Sequence, residues 1–415
     1  MVEISPFKGM FYNQTKIPDL SKVLSPPYDI ITPDLKSNIS KFSPYNIVNL
    51  ILPEKKNGKN KYEYAGSLLE KWIKDEILVF DREECFYLFE EEFKLENSIK
   101  KILGFIGLTK IEPYSAGKIL RHENTLAKPK QDRFNLLKKT KANFGLIYTI
   151  YKDRSNLIQN IGSRKKKADI IISPLYDQNL KFRLWKVKEQ QNIKQISELM
   201  DSKSILIADG HHRYETSKLY METVNDSGES KNYILTLFVN SSQKDISIWP
   251  TYRLIKFKKF QKTQGYIDRF KKYFNIQLRE NASDAQVISE MTRLKKKSQK
   301  VFCLYDRSGK AYFLTLKASS GHKNSWKNLD VNILHNLIIG KIIPKNDIQK
   351  ISFSHSIGEV SQNIANNNFD LAILLNAPEI GEVEDLSAKG YLMPQKSTYF
   401  YPKPCTGLVM YKFYK

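Results

Sequence analysis

The chain of 415 residues carries 67 Lys and Arg against 44 Asp and Glu, a formal net charge of +23, with 41% hydrophobic and 12% aromatic residues. That length exceeds one simple core and predicts two lobes of ordinary globular composition. No apolar run approaches membrane-spanning length, residues 1–14 lack a secretory leader pattern, and Cys85, Cys303 and Cys405 lack metal-ligand spacing, so a cytoplasmic protein with no membrane partner is expected.

Prolines punctuate the opening segment, and Ser25-Pro26-Pro27-Tyr28-Asp29 is predicted extended because each proline restricts the residue before it. A strand is expected over Ile47–Leu52, then a helix over 61–76 with Leu68, Leu69 and Trp72 on one face. Cys85–Phe89 and Lys101–Ile111 read as paired strands separated by the polar stretch Leu95–Ile99. The polar cluster His122–Thr125 and Lys128–Arg133 leads into a helix at 132–141. Strands follow over Leu146–Tyr151 and 182–187, with a lysine-rich loop or helix at 155–170 between them and a helix near 190–201 after them.

Beyond residue 217, strands are expected over Tyr233–Asn240 and Ile246–Leu254, the second interrupted by Pro250. Gln264–Phe274 and Ala285–Lys297 read as helices, and Val301–Tyr305 with Ala311–Leu316 as a hairpin across Asp306–Gly309. A strand at Leu371–Leu375 and the segment Met393–Lys403 complete the pattern. The mixture predicts an α+β (mixed α/β) fold with lobes at 1–255 and 256–415.

Chemistry concentrates in Ala208–Ser217, which follows the apolar run Ile205–Ile207 and opens a helix. A helix start directs backbone N–H groups and positive potential outward. Gly210 lets the backbone approach a ligand, and Arg213 supplies a planar fork that matches two phosphate oxygens. Asp209, His211, His212 and Glu215 are candidate catalytic groups; Gly210, Arg213 and Thr216 are candidate phosphate or nucleotide contacts. The alternative is structural, with Asp209 a simple N-cap and the histidines a scaffold pair.

Lys396-Ser397-Thr398 has phosphate-binding residue types but no upstream Gly-x-x-x-x-Gly, so it is not a Walker motif. His122, Glu123, Lys130 and Arg133 offer a base and cationic clamps, Arg253 follows Pro250 and Thr251, and Asp29 sits in a rigid loop. Each of these also has a structural reading. The lysines are dispersed, and a solvated basic surface is expected rather than specific nucleic-acid recognition.

Ala208–Thr216, Ser25–Asp29, His122–Arg133, Pro250–Arg253 and Met393–Lys403 together resemble the bacterial and archaeal family called domain of unknown function 1015, from Ile4 onward. That family is in turn similar, around the Asp-Gly-His-His-Arg turn, to the ParB/sulfiredoxin superfamily. The resemblance implies a phosphate-binding core with a second, smaller α/β lobe, and one of three chemistries: cysteine sulfinic acid reduction, CTP-dependent DNA clamping, or phosphorylation of free serine. Sulfiredoxins carry a cysteine where this chain has His211, and ParB proteins follow the core with a helix-turn-helix where this chain has strands.

The kinase branch remains. It implies a nucleotide and a small hydroxylated substrate, possible L-serine chemistry, and Mg²⁺ with ATP or ADP as cofactors. In that reading Asp209 or Glu215 takes the hydroxyl proton. Arg253, Lys396, Ser397 and Thr398 contact nucleotide, and Asp29, His122, Glu123, Lys130 and Arg133 contact substrate. The alternatives are a non-catalytic nucleotide-binding regulator and, last, a metal-dependent hydrolase using His122, Glu123, His211 and His212.

Overall fold

A computed structural model describes the chain except residues 57, 96, 97, 126, 226, 227, 260–263, 298, 299, 319–325 and 415, and the side chains of 127–129 and 264. The centre of the Leu95–Ile99 stretch and the Lys128 and Pro129 side chains therefore lie outside the described residues. The chain forms two units: Met1–Arg121, Thr125–Ile246 and Pro402–Lys415 make the first, and His122–Asn124 with Ser247–Tyr401 make the second. The fold is mixed α/β.

The first unit contains β1 (Ile4–Ser5), β2 (Met10–Tyr12), β3 (Leu78–Phe80), β4 (Phe86–Leu95), β5 (Ser98–Lys110) and β6 (Ile119–Leu120). They are followed by β7 (Ala142–Gly145), β8 (Ile147–Tyr151), β9 (Ile170–Ile172), β10 (Leu180–Val187), β11 (Ile205–Asp209) and β12 (Tyr233–Asn240). Its helices are α1 (Pro33–Ser40), α2 (Val48–Ile51), α3 (Lys61–Lys74), α4 (Ala127–Thr140), α5 (Leu157–Ser163), α6 (Gln190–Asp201) and α7 (His211–Thr223). Nine strands form a mixed sheet in the order β6-β11-β8-β12-β5-β4-β10-β9, with β1 added beside β5. A smaller sheet joins β3, β2, the strand Thr406–Lys412 and β7.

Side chains alternating along β4, β5 and β12 build the main core. The Phe105 and Phe238 rings stack with centroids 4.6 Å apart, and Phe86 meets Phe105 edge-on at 5.6 Å. Helix α7 docks on this core through Tyr214, whose hydroxyl donates to the Glu112 carbonyl at 2.6 Å.

The expected strand at Ile47–Leu52 is instead the short helix α2. Its apolar residues Val48, Leu50 and Ile51 are all buried, so periodicity does not distinguish a buried strand from a buried helical turn. Asn46 decides locally: its Oδ1 accepts from the Val48 amide at 3.0 Å, while its Nδ2 donates to the carbonyls of Lys22 and Leu24 at 2.8 and 3.1 Å. That pattern is a side-chain turn, which competes with a strand ladder.

In the second unit, Pro250 splits the expected strand Ile246–Leu254 into β13 (Ser247–Trp249) and β14 (Tyr252–Phe257), which belong to different sheets. The other strands are β15 (Phe274–Glu280), β16 (Val301–Asp306), β17 (Lys310–Leu316), β18 (Ile348–Ser354), β19 (Leu371–Leu375) and β20 (Tyr399–Tyr401). Six of them form an antiparallel sheet in the order β15-β17-β16-β19-β14-β18, and β13 pairs with β20. Because β14 pairs with β18 along its length and with β19 over Arg253–Ile255, it lies wholly in the second unit, whose main segment runs from Ser247 rather than from inside that strand. Helices α8 (Gln264–Lys271), α9 (Asp284–Lys296) and α10 (Asp330–Ile333) accompany the sheet, the last continuing into a π-helix, Leu334–Ile342. Among the described residues no helix is long and apolar enough to cross a membrane.

Phe238 fills the centre of the first core, so Phe238→Ala is expected to lower unfolding stability by about 3–5 kcal/mol. Denaturant melts that show a smaller loss would mean the core collapses around the gap.

Candidate functional site

Strand β11 lies between β6, to which it is parallel, and β8, to which it is antiparallel. Its register with β8 slips between Ile207 and Asp209, which re-aims the last strand residue. Gly210 then turns the chain with φ +99°, a left-handed conformation that L side chains rarely adopt. A Cβ added there would fall 3.1–3.2 Å from the Arg213 guanidinium. The Tyr214 amide donates to the Gly210 carbonyl at 3.0 Å, so α7 begins at His211. Gly210 is the N-cap residue, and the reading of Asp209 as a simple cap is excluded.

Asp209 instead anchors a chain of charges. Its Oδ2 accepts from Arg213 Nη2 at 2.6 Å, and its Oδ1 lies 2.7 Å from Lys403 Nζ. Lys403 also donates to Asp29 Oδ2 at 2.7 Å. The Lys403 side chain is only 7% exposed, with Asp209 at 15% and Asp29 at 27%. Burial alone would depress the Lys403 pKa, but the two carboxylates overcome it and hold the ammonium above its ordinary range.

Arg213 turns its other nitrogen, Nη1, to the Leu146 carbonyl. Gly145 makes this possible, because a Cβ there would sit 3.2 Å from that nitrogen. Both arms of the guanidinium are thus engaged by protein acceptors around the turn.

Further along α7, Glu215 lies 3.5 Å from Arg121 Nη1 and 4.0 Å from Lys130 Nζ. Thr216 is buried, with its hydroxyl 3.4 Å from the Lys130 carbonyl. His211 is buried and His212 half-buried.

Arg133 on α4 donates through Nη1 to the Ile51 carbonyl at 2.6 Å, pairs with Asp132, and lies 4.3 Å over the Tyr28 ring. Asp132 also accepts from Lys61 at 2.6 Å. Burial raises its pKa, but Arg133 and Lys61 outweigh this and bring it down to about 2. A cavity of about 80 Å³ is lined by Tyr28, Arg133, Gly145, Arg213 and Thr216 among others. A cleft of about 1020 Å³ along α1, α3 and α4 shares Arg133 with it.

The remaining expected site residues belong to the second unit, where the structure brings several of them together. Glu123 bridges Met393, and the Met393 amide donates to the His122 carbonyl at 2.7 Å. His122 Nε2 is 2.7 Å from the Thr398 hydroxyl, and Ser397 donates to the Pro394 carbonyl. Lys396 adopts φ +58° in the same turn. Arg253, the second residue of β14, is fully buried, with Nη2 3.2 Å from His335 Nε2.

Residues 4–332 match the family described as Protein of unknown function (DUF1015). The chain belongs to the DUF1015 family. No curated protein matches this DUF1015 chain in sequence. Several solved structures resemble it, three of which follow. A free serine kinase in complex with AMP has 13% identity and a TM-score of 0.36, covering 71% of this chain and 86% of its own. SbnI with a C-terminal truncation, from Staphylococcus aureus, has 11% identity and a TM-score of 0.38, covering 73% and 85%. A conserved hypothetical protein from Pyrococcus furiosus has 12% identity and a TM-score of 0.35, covering 71% and 89%. Likeness at this level does not carry function to the DUF1015 chain.

Sequence reasoning passed over three residues of this DUF1015 site: Lys403, Arg121 and Gly145. Lys403 stood at the end of the segment from Met393, where the Lys-Ser-Thr triplet drew attention instead. Among the described residues no group of three or more His, Cys, Asp or Glu side chains is arranged to hold a metal ion.

Lys403→Met removes the buried cation shared by Asp29 and Asp209, leaving Arg213 on Asp209, and is expected to cost about 3–5 kcal/mol near neutral pH. Adding Asp209→Asn should recover part of that loss, and additive effects in the double-mutant cycle would show that the pair is not coupled. Gly210→Ala forces a non-glycine residue into the left-handed region at about 1–2 kcal/mol and pushes on Arg213. Unchanged thermal stability of that variant would contradict the turn geometry.

Proposed function

We propose that the β11–α7 turn binds the phosphates of a nucleotide and that this chain transfers a phosphoryl group to the hydroxyl of a small metabolite. The observation that carries this reading is the convergence of Asp29, Asp209, Lys403 and Arg213, from three separate stretches of sequence, at the start of a thirteen-residue helix. Two cations and two carboxylates nearly cancel one another there. Phosphate oxygens arriving at the helix start would compete with Asp209 for both cations, which is how a preorganised anion site is kept soluble and folded when empty. Gly210 allows the close backbone approach that such binding needs.

Transfer requires a carboxylate near the acceptor hydroxyl. The hydroxyl oxygen bonds to phosphorus as the bond from phosphorus to the bridging oxygen breaks, the shortened nucleotide leaves with that oxygen, and the hydroxyl proton passes to Asp29 or Asp209. Carboxylate oxygens are the donor type that Mg²⁺ prefers, so Asp29 or Asp209 would share the ion with the nucleotide phosphates, where it would neutralise developing charge. The cavity beside the turn is too small for a whole nucleotide, whereas the cleft sharing Arg133 has the volume of a ligand pocket. L-serine is the first acceptor to try.

One observation favours a regulator that binds without catalysis. Lys403 already occupies an oxygen of each carboxylate, which leaves less room for a substrate hydroxyl at them.

Thermal shift with ATP, ADP, CTP and pyrophosphate in the presence of Mg²⁺ separates these readings. One nucleotide should stabilise the wild type and lose that effect in Arg213→Ala, and ³¹P spectra should then show a phosphorylated serine or a related product. Binding without product selects the regulator. Unchanged nucleotide affinity in Arg213→Ala rejects the phosphate assignment altogether.

A further inference from the structure

Arg253 holds a charge inside the second unit without a counter-ion. Its side chain is 0% exposed, and among the described residues no carboxylate lies within ion-pair distance of it. Nη1 donates to the Thr251 carbonyl and Nη2 to His335 Nε2 at 3.2 Å. The Phe353 ring lies 5.1 Å from the guanidinium carbon. These acceptors are neutral, and Nε is buried with no hydrogen-bond partner. A guanidinium carries five N–H donors and no acceptor, so two neutral partners leave both its donors and its charge uncompensated.

The surroundings repeat the same sign. Because Arg253 can only donate, His335 Nε2 must be the acceptor, which fixes His335 as the neutral tautomer with its proton on Nδ1. Burial lowers the His335 pKa to about 4, and the charges acting on it, Arg253 and Lys345, are both cations. Burial likewise brings Arg253 down to about 10, which leaves it charged at neutral pH. His335 stands on the π-helix Leu334–Ile342, an irregularity found often at functional sites. Asn376, just past the end of β19 at the end of the sheet where β14 starts, also has a buried Nδ2 without an acceptor.

We propose that Arg253 and His335 form an anion site within the second unit that takes a small oxyanion, with inorganic phosphate as its simplest representative. Full burial of Arg253 selects a small ligand over a nucleotide. This assigns to Arg253 a site of its own, whatever binds at the β11–α7 turn.

The test uses the full chain carrying Arg213→Ala, so that the turn does not contribute, and follows thermal stability against inorganic phosphate at constant ionic strength. Phosphate should raise the melting temperature by several degrees, and adding Arg253→Met should abolish the shift. Without phosphate, Arg253→Met should be at least as stable as its parent, because it removes an uncompensated buried charge. If Arg253→Met fails to fold, His335→Phe with ³¹P line-broadening reads the same site, and its broadening by phosphate should fall to that of a control protein. Absence of any phosphate-dependent shift in the Arg213→Ala chain, or its persistence after Arg253→Met, overturns the proposal.

Discussion

Lys403 keeps its charge in the interior of the first unit, and an ammonium persists there only where carboxylates meet it. Asp29 and Asp209 do so at equal distances of 2.7 Å, and each is supplied by a different part of the chain. Asp29 follows a proline-stiffened loop, Asp209 ends β11, and Lys403 stands just before the strand Thr406–Lys412. One ammonium therefore fixes three backbone segments and, through the second oxygen of Asp209, the orientation of Arg213. The helix start, the glycine turn and the guanidinium fork all depend on that arrangement.

The same arrangement sets a threshold for any anion that binds. A ligand at the turn must replace contacts that Arg213 and Lys403 already make, so its affinity is a difference between two sets of charge-assisted hydrogen bonds. A monovalent anion offers little over Asp209. A polyphosphate offers several oxygens and more charge, so it competes with Asp209 better than a simple salt does. At Arg253 the competition is absent, because its partners there are a carbonyl and a neutral imidazole.

Local signals in the sequence were legible where they agree with tertiary packing. The helix at 190–201, the strand Tyr233–Asn240 and the hairpin across Asp306–Gly309 all form where periodicity and turn residues point. The strand-to-helix turn at Ala208–Ser217 was equally plain, because Gly210 and the polar residues after it interrupt an apolar run. Ile47–Leu52 misled because it is buried on all sides, and the deciding residue, Asn46, lies outside the run. Lys403 was hidden for a different reason. Its partners are remote in sequence, and nothing near it announces a buried charge; only the fold reveals that a lysine beside Pro402 and Pro404 has left solvent.

The first unit is interrupted in sequence, since residues 247–401 belong to the second before Pro402–Lys415 return. On a ribosome, the second unit is complete while the first still lacks the strand between β2 and β7. Until Pro402–Lys415 arrive, the Lys403 contacts to Asp29 and Asp209 are missing, and the smaller sheet has an open edge. The charged centre is thus assembled only once residues 402–415 have joined segments made before the second unit. An incompletely made chain carries the turn motif intact but has no finished site.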